Sequence, residues 1–170
     1  MNDELGEVSR CYSLKWTRLS KHSPARFWRA LTDAEEVTAW MQYPARVDLR
    51  VGGEYFADFA RTGGGLMDGI IVAFEPERML RYAWNATIVQ WTIEPDGAGS
   101  RYTFIQAGLP ARDLPGEEGL PAGWHGWFED LDAYLDTGVA PTDDGVERWQ
   151  ELGRMYRPLL AAALGDLFHP

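Results

Sequence analysis

The sequence predicts an α+β protein in which a curved antiparallel sheet of about seven strands wraps around one long helix. The helix is predicted over Pro121–Thr137 because its apolar residues recur with an α-helical period. One face of it carries Trp124, Phe128, Leu131 and Leu135, and Trp127 and Tyr134 widen that face. Gly138 suits the residue that ends a helix. An amphipathic helix needs an apolar surface, and the strands that precede it supply one.

A strand and two short helices are predicted before the main sheet. Residues 8–20 alternate loosely between apolar and polar side chains and form the first strand. Ser23-Pro24 is the pattern of a helix start, with an N-cap residue followed by proline in the first turn. A second helix begins at Thr32 or Asp33, because a glutamate follows at the spacing of a capping box.

Six further strands are predicted from alternating apolar residues and from the turn residues between them. They cover residues 47–51, 55–60, 66–74, 80–84, 89–93 and 101–106. Gly63-Gly64-Gly65 and Pro95-Asp96-Gly97 mark two of the turns. Because the connections are short, neighbouring strands are expected to pair antiparallel.

The chain is predicted to divide into a domain of residues 1–138 and a C-terminal linker with a helical extension, residues 139–170. Apolar residues recur at helical spacing between Asp143 and Phe168. Pro158 is expected to kink or split this helix. The extension would pack on the domain, cap an opening or join a second subunit in a homodimer. The sequence leaves these three alternatives open.

Charge and composition exclude several classes of partner. The chain carries 16 Lys and Arg against 26 Asp and Glu, which gives a formal net charge of −10. Such a surface repels phosphate groups, so neither nucleic acid nor a membrane is an expected partner. A single cysteine, Cys11, excludes an internal disulfide and fits a reducing compartment. No signal peptide and no run of roughly 20 apolar residues is recognised, so a cytoplasmic location is expected.

The sequence contains no recognised motif for a metal, a phosphate group or a nucleophile. Its three histidines and one cysteine lack the spacing of zinc ligands, and its acidic residues do not follow a calcium-loop pattern. The glycine run at residues 63–65 lacks the lysine of a phosphate-binding loop, and no G-x-S-x-G is present. The sequence therefore predicts no cofactor, no metal and no catalytic residue, and it favours a binding protein over an enzyme.

Four segments form a pattern together with the order of the predicted elements: residues 23–33 with Trp40, residues 47–55, residues 78–84, and Gly123-Trp124 followed by Leu131 and Leu135. This pattern resembles the START-like (SRPBCC) superfamily with its helix-grip fold. Within that superfamily it is similar to the family named for activators of the heat-shock-protein-90 ATPase. The resemblance covers roughly residues 10–137. The chain departs from it in its long C-terminal extension and in Gln106, where the family typically has a histidine at a strand end.

The resemblance implies a cavity between the sheet and the long helix that binds an apolar or aromatic small molecule, such as a lipid or a polyketide. The residues predicted to line it are mostly aromatic: Trp40, Tyr55, Phe59, Tyr82, Trp84, Trp91, Phe104, Gln106, Trp124, His125 and Phe128. Arg46, Asp58 and Asp68 are further polar candidates for orienting a ligand. The alternative is that the aromatic residues simply fill the core.

Two other functions follow from the same resemblance. A cyclase or hydrolase would use the same cavity, with His125 and an acid such as Asp68 transferring protons. A co-chaperone would act on a heat-shock-protein-90-type ATPase, as the name of the family implies. Ligand binding is preferred among the three functions, because the sequence has aromatic residues suited to a pocket wall but no recognised set of catalytic residues.

Overall fold

The computed structural model describes residues 10–59, 66–114, 119–142 and 145–165. The strands in this part of the chain are β1 (Tyr12–Ser20), β2 (Ala45–Val47), β3 (Glu54–Asp58), β4 (Leu66–Glu75), β5 (Met79–Trp84), β6 (Thr87–Asp96) and β7 (Gly99–Leu109). The helices are α1 (Pro24–Thr32), α2 (Ala34–Met41), α3 (Leu120–Thr137) and α4 (Val146–Leu164). A short 3-10 turn, Ala111–Asp113, lies between β7 and α3.

The strands form one seven-stranded sheet in the order β1-β7-β6-β5-β4-β3-β2. Every neighbouring pair is antiparallel, as the short connections predict. The strand β1 pairs with β7, so the chain crosses from one edge of the sheet to the other through α1 and α2. The predicted α+β class with a sheet around a long helix is therefore confirmed. The predicted turn at residues 63–65 lies outside the described residues.

Side-chain caps start the first two helices where the sequence places them. The Ser23 hydroxyl accepts from the Arg26 N–H (3.3 Å), and the Asp33 carboxylate accepts from the Glu36 N–H (3.2 Å). The reciprocal half of the predicted capping box is absent, because the Asp33 N–H donates to the Arg29 carbonyl instead. The buried Glu36 carboxylate lies 2.5 Å from both Arg26 and Arg29, and so ties α2 to α1.

The second strand lies earlier in the chain than predicted, since β2 covers Ala45–Val47 and shares only Val47 with the predicted strand at residues 47–51. The Arg50 N–H donates to the Asp48 carbonyl, so the backbone turns where the alternating pattern predicts extension. Leu49 and Val51 are consequently exposed. Alternation alone does not distinguish a strand from a turn that points apolar residues to solvent.

The C-terminal helix α4 continues through Pro158, so the predicted split is wrong, while the alternative of a kink stays a prediction. A proline inside a helix leaves the carbonyl four residues earlier, that of Arg154, without its donor. Both Pro158 and Arg154 are exposed, and water can therefore satisfy this carbonyl.

Large aromatic side chains fill the middle of the space between the sheet and α3. The most deeply buried are Phe27, Trp40, Tyr55, Tyr82, Trp91, Tyr102, Phe104, Trp124 and Phe128. The ring centroids of Phe104 and Trp124 are 4.2 Å apart, and those of Tyr55 and Tyr82 are also 4.2 Å apart. The predicted buried face of α3 is confirmed, since Leu131 and Leu135 also belong to this core.

The helix α4 packs against α3, and its Tyr156 reaches Trp16 of β1. The close approach occurs at Gly126, where an added Cβ atom would lie 2.5 Å from Trp149 Nε1. Arg148 donates to both carboxylate oxygens of Glu129, at 2.9 and 2.7 Å. The division of the chain at residue 138 stays a prediction.

The last turns of α4 close a second, smaller apolar cluster. Leu160 and Leu164 are buried there against Leu109 at the end of β7 and Leu114. Leu120, the first residue of α3, packs against the same cluster. The end of α4 therefore supports the region where β7 leads into α3.

Candidate ligand-binding site

A cavity of about 590 Å³ opens at one end of the space between the sheet and α3. Its walls come from the turn between β5 and β6, the end of β7, the 3-10 turn and the start of α3. The lining residues are Trp84, Asn85, Ala86, Thr87, Gln106, Leu109, Pro110, Arg112, Asp113, Gly119 and Leu120. The volume and the combination of aromatic and aliphatic walls with a few polar groups are typical of small-molecule sites.

A two-residue turn shapes the aromatic wall of the cavity. Trp84 ends β5, Thr87 begins β6, and the two residues pair in register. Between them Asn85 adopts a φ of 50°, a left-handed conformation that asparagine tolerates better than most residues. The Thr87 hydroxyl donates to the Trp84 carbonyl at 2.8 Å. This hydrogen bond fixes the direction of the hydroxyl group next to the tryptophan.

A buried chain of hydrogen bonds forms the polar part of the lining. Gln106, which is 2% exposed, accepts a hydrogen bond from Trp124 Nε1 at 2.7 Å and donates one to Thr87 Oγ1 at 3.0 Å. An indole N–H can only donate, so the atom of Gln106 that faces Trp124 is the amide oxygen. The contacts of Gln106 thus join α3 to β6 and β7 at the cavity.

Of the predicted lining residues, Trp84 and Gln106 lie at the cavity. The other predicted aromatic residues belong to the adjoining core: Trp40, Tyr55, Phe59, Tyr82, Trp91, Phe104, Trp124 and Phe128. Trp124 connects the two regions, because its ring lies 5.5 Å from that of Trp84 while its N–H bonds to Gln106. A ligand-binding role for the core residues stays a prediction.

His125 lies between α3 and α4 and is not among the residues that line the cavity. Its Nδ1 atom is 2.9 Å from the Tyr156 hydroxyl, which also accepts from Trp16 Nε1 at 2.9 Å. A hydroxyl oxygen has two lone pairs, so this contact forms whether His125 Nδ1 accepts a hydrogen from Tyr156 or donates one to it. Tyr156 thus ties α4 to both β1 and α3.

The surroundings of His125 favour its neutral form. Burial lowers the pKa of the imidazole below its ordinary value, and the charges of Arg18 on β1 and Arg148 on α4 lower it further. The carboxylate of Glu129, one turn along α3, acts in the opposite direction.

We expect stability to fall as the pH drops below about 6.5, the pKa of an unperturbed histidine, because the unfolded chain then binds more protons at His125 than the folded protein does. His125→Gln keeps an acceptor oxygen but does not titrate, so its stability should fall less between about pH 7 and pH 5.5. Urea unfolding across this range measures the difference. His22→Gln, which changes a histidine paired with Asp136 at 2.8 Å, is the control. Equal losses in His125→Gln and the wild type would contradict the assignment.

The polar candidates on the early strands lie on the outer face of the sheet. Met67 is buried in the core, so its neighbour Asp68 faces outward and is exposed. Arg46 lies over the ring of Phe56, 3.7 Å from its centroid, on the same outer face. The predicted proton-transferring pair of His125 and Asp68 is therefore wrong, since the sheet and its core separate the two residues.

Features of other kinds of site are not found among the described residues. No group of three or more His, Cys, Asp and Glu side chains that could hold a metal occurs there. None of the helices in the described ranges combines the length and the apolar character needed to cross a bilayer. A second depression of about 840 Å³ follows the first turns of α4, and its described lining, residues 145–154, is largely polar and comes from that one helix.

The sheet wrapped around a long helix, with a cavity at the end of that helix, defines a START-like protein of the helix-grip type. The family profile described as activator of Hsp90 ATPase homolog 1-like protein matches residues 21–136. The chain belongs to this family. The match ends before α4, so the family pattern does not account for that helix.

Solved structures share this fold. MLL2253 from Mesorhizobium loti is 26% identical, with a TM-score of 0.66 over 74% of this chain and 97% of that chain. CalU16 from Micromonospora echinospora is 22% identical, with a TM-score of 0.67 over 87% and 88%. EF2215 from Enterococcus faecalis, a conserved protein of unknown function, is 16% identical, with a TM-score of 0.70 over 95% and 90%. No curated protein matches the sequence significantly.

Proposed function

We propose that this protein binds an apolar or aromatic small molecule, such as a lipid or a polyketide, in the cavity beside Trp84 without transforming it. The observation that carries the proposal is the cavity of about 590 Å³, whose apolar walls include Trp84, Leu109 and Leu120. A buried amide, that of Gln106, lies in this lining and can orient a bound molecule. Apolar walls with a few polar groups that fix orientation are typical of sites for small molecules.

The ionisable groups at the cavity support binding rather than catalysis. Among the described lining residues they are Arg112 and Asp113. The two side chains are exposed and lie 3.6 Å from each other. General acid–base catalysis needs a titratable group held against the reacting atoms, and an exposed pair at the rim does not provide one.

The extension beyond the family match supports one wall of the cavity. Leu109 and Leu120 line the cavity and also pack in the cluster that contains Leu160 and Leu164 of α4. We infer that α4 keeps this wall in place for the ligand. The homodimer predicted through the extension stays a prediction.

A thermal-shift screen against fatty acids, flavonoids, polyketides and other aromatic metabolites tests the proposal. A ligand present at about 100 times its dissociation constant adds roughly 2.7 kcal/mol to the free energy of unfolding. For a chain of this length we expect a rise in Tm of about 5–10 °C.

Two matched variants test whether the ligand binds in the cavity. Ala86→Trp puts a large side chain into the lining and should abolish the shift, because it occupies the space of the ligand. Ala162→Trp adds the same side chain at an exposed position of α4 and should keep the shift. A shift that survives Ala86→Trp would place the ligand elsewhere, and the absence of any shift would contradict the proposed function.

A further inference from the structure

One of the two N–H groups of the Gln106 amide has no hydrogen-bond acceptor among the described residues. A primary amide carries two N–H hydrogens, and one of them goes to Thr87 Oγ1. The amide oxygen accepts from Trp124 Nε1. In the described part of the chain no protein acceptor meets the second N–H. This hydrogen belongs to a buried side chain that lines the cavity.

The direction of the hydrogen-bond chain cannot be reversed. Turning the amide over would place its NH₂ group against the indole N–H of Trp124, which would leave two donors facing each other. The Thr87 hydroxyl hydrogen is also committed, because it goes to the Trp84 carbonyl. Gln106, which lies in the lining of the cavity, therefore keeps one N–H for a further acceptor.

We infer that the bound molecule is an aromatic compound that presents an uncharged carbonyl oxygen, such as that of a ketone or a quinone, to the free N–H of Gln106. This inference rests on the proposed function. An entirely apolar ligand would displace water from this N–H and leave it unbonded, which is costly for a buried donor. A carbonyl oxygen replaces the displaced water as acceptor.

The aromatic character follows from the wall beside the amide. Trp84 is 9% exposed, and its ring is held between those of Phe59 and Trp124 at centroid distances of 6.1 and 5.5 Å. The wall is therefore rigid, and a planar ring can pack against it in an offset or edge-on geometry.

A carboxylate is a poorer match than a neutral carbonyl at the same position. A buried carboxylate needs a cation or several donors, and Gln106 provides one N–H. The cation in the lining, Arg112, has a side chain that is 84% exposed and lies near Asp113. The first turn of α3 also offers fewer donors than usual, because Pro121 has no N–H.

Three probes of matched shape test the inference: acetylnaphthalene, ethylnaphthalene and naphthoate, substituted at the same ring position. Isothermal titration calorimetry at neutral pH gives their dissociation constants for the full chain. We expect the ketone to bind about tenfold more tightly than the hydrocarbon, which is the usual value of one buried hydrogen bond. The carboxylate should bind more weakly than the ketone.

Gln106→Met removes the amide at nearly constant side-chain length and should abolish the preference for the ketone. Gln90→Met is the matched control, because Gln90 bonds to Arg81 on an exposed part of the neighbouring strand. The control should keep the preference. If Gln106→Met does not fold, the dissociation constants of the three probes for the wild type alone test the inference.

The outcomes separate this inference from the proposed function. Equal binding of ketone and hydrocarbon, or tightest binding of the carboxylate, would overturn the inference and leave a binding cavity. A ketone preference that persists in Gln106→Met would also overturn it. Binding of no probe, together with no hit in the thermal-shift screen, would overturn the proposed function and this inference with it.

Discussion

Replacing Trp124 by alanine should lower the free energy of unfolding by about 3–5 kcal/mol, the cost of emptying a large buried aromatic site. The ring is 1% exposed and lies 4.2 Å from that of Phe104 and 5.1 Å from that of Trp127. Its removal also takes away the donor that Gln106 Oε1 uses. For a chain of this length the loss corresponds to a fall in Tm of about 6–20 °C.

Trp124→Phe separates the two contributions. It keeps most of the ring volume but leaves the amide oxygen of Gln106 without its donor. We therefore expect the free energy of unfolding to fall by about 1–3 kcal/mol. Leu159→Ala, at a side chain that is 64% exposed, should change stability by less than about 0.5 kcal/mol. Urea unfolding followed by circular dichroism measures all three. A loss below about 1 kcal/mol for Trp124→Ala would mean that the aromatic core tolerates a void, against what its packing indicates.

Local periodicity was sufficient to predict the element that organises the fold. The spacing of Trp124, Phe128 and Leu131 predicts both the helix α3 and its buried face, because the helical period is a property of the backbone alone. The caps at Ser23 and Asp33 are equally local, since each side chain reaches an N–H two or three residues away. Features that depend on residues only a few positions apart can be predicted without knowledge of the tertiary structure.

The predictions of secondary structure fail where contacts between residues distant in sequence determine the structure. The alternating pattern over residues 47–51 predicts a strand, but β2 ends four residues earlier, at Val47, where the backbone turns through Asp48 and Arg50. Pro158 is expected to kink or split α4, yet its position on the exposed side lets the helix continue without a split. In both cases burial or exposure determines the outcome, and a short sequence window does not contain that information.

The site could be predicted only in part. The resemblance to a family predicts Trp84 and Gln106, whereas the predicted lining lacks Thr87, although the two-residue gap after Trp84 indicates a hairpin turn. The sequence predicts His125 at the cavity because it follows Trp124. Successive residues of a helix point about 100° apart, and this rotation directs His125 to α4. Its partner, Tyr156, is more distant in sequence than any local pattern reaches.

Two glycines of α3 should respond in opposite directions to the same substitution. Gly126→Ala is expected to destabilise the protein by about 1–3 kcal/mol, because overpacking forces the packed side chain to move. The new Cβ atom would lie 2.5 Å from Trp149 Nε1 and 2.7 Å from its Cδ1, and a rigid indole cannot yield locally. Gly123→Ala meets no atom within 4 Å and should stabilise the helix by about 0.5–1 kcal/mol.

Urea unfolding gives the two free-energy changes, and hydrogen exchange along α4 locates the effect. In Gly126→Ala we expect faster exchange in α4 than in the strands, because the helix loses its closest contact with α3 while the sheet is untouched. Gly123→Ala should leave this exchange unchanged. A stabilising effect at both positions would show that α4 does not approach α3 closely in solution.

The same pair of variants tests whether α4 contributes to ligand binding. Leu160 and Leu164 support Leu109 and Leu120, so an α4 that is displaced at Gly126 should also loosen this wall of the cavity. We expect the thermal shift given by a ligand to shrink in Gly126→Ala and to persist in Gly123→Ala. If the shift were equal in both, α4 would stabilise the fold without shaping the cavity, and the family domain alone would account for binding.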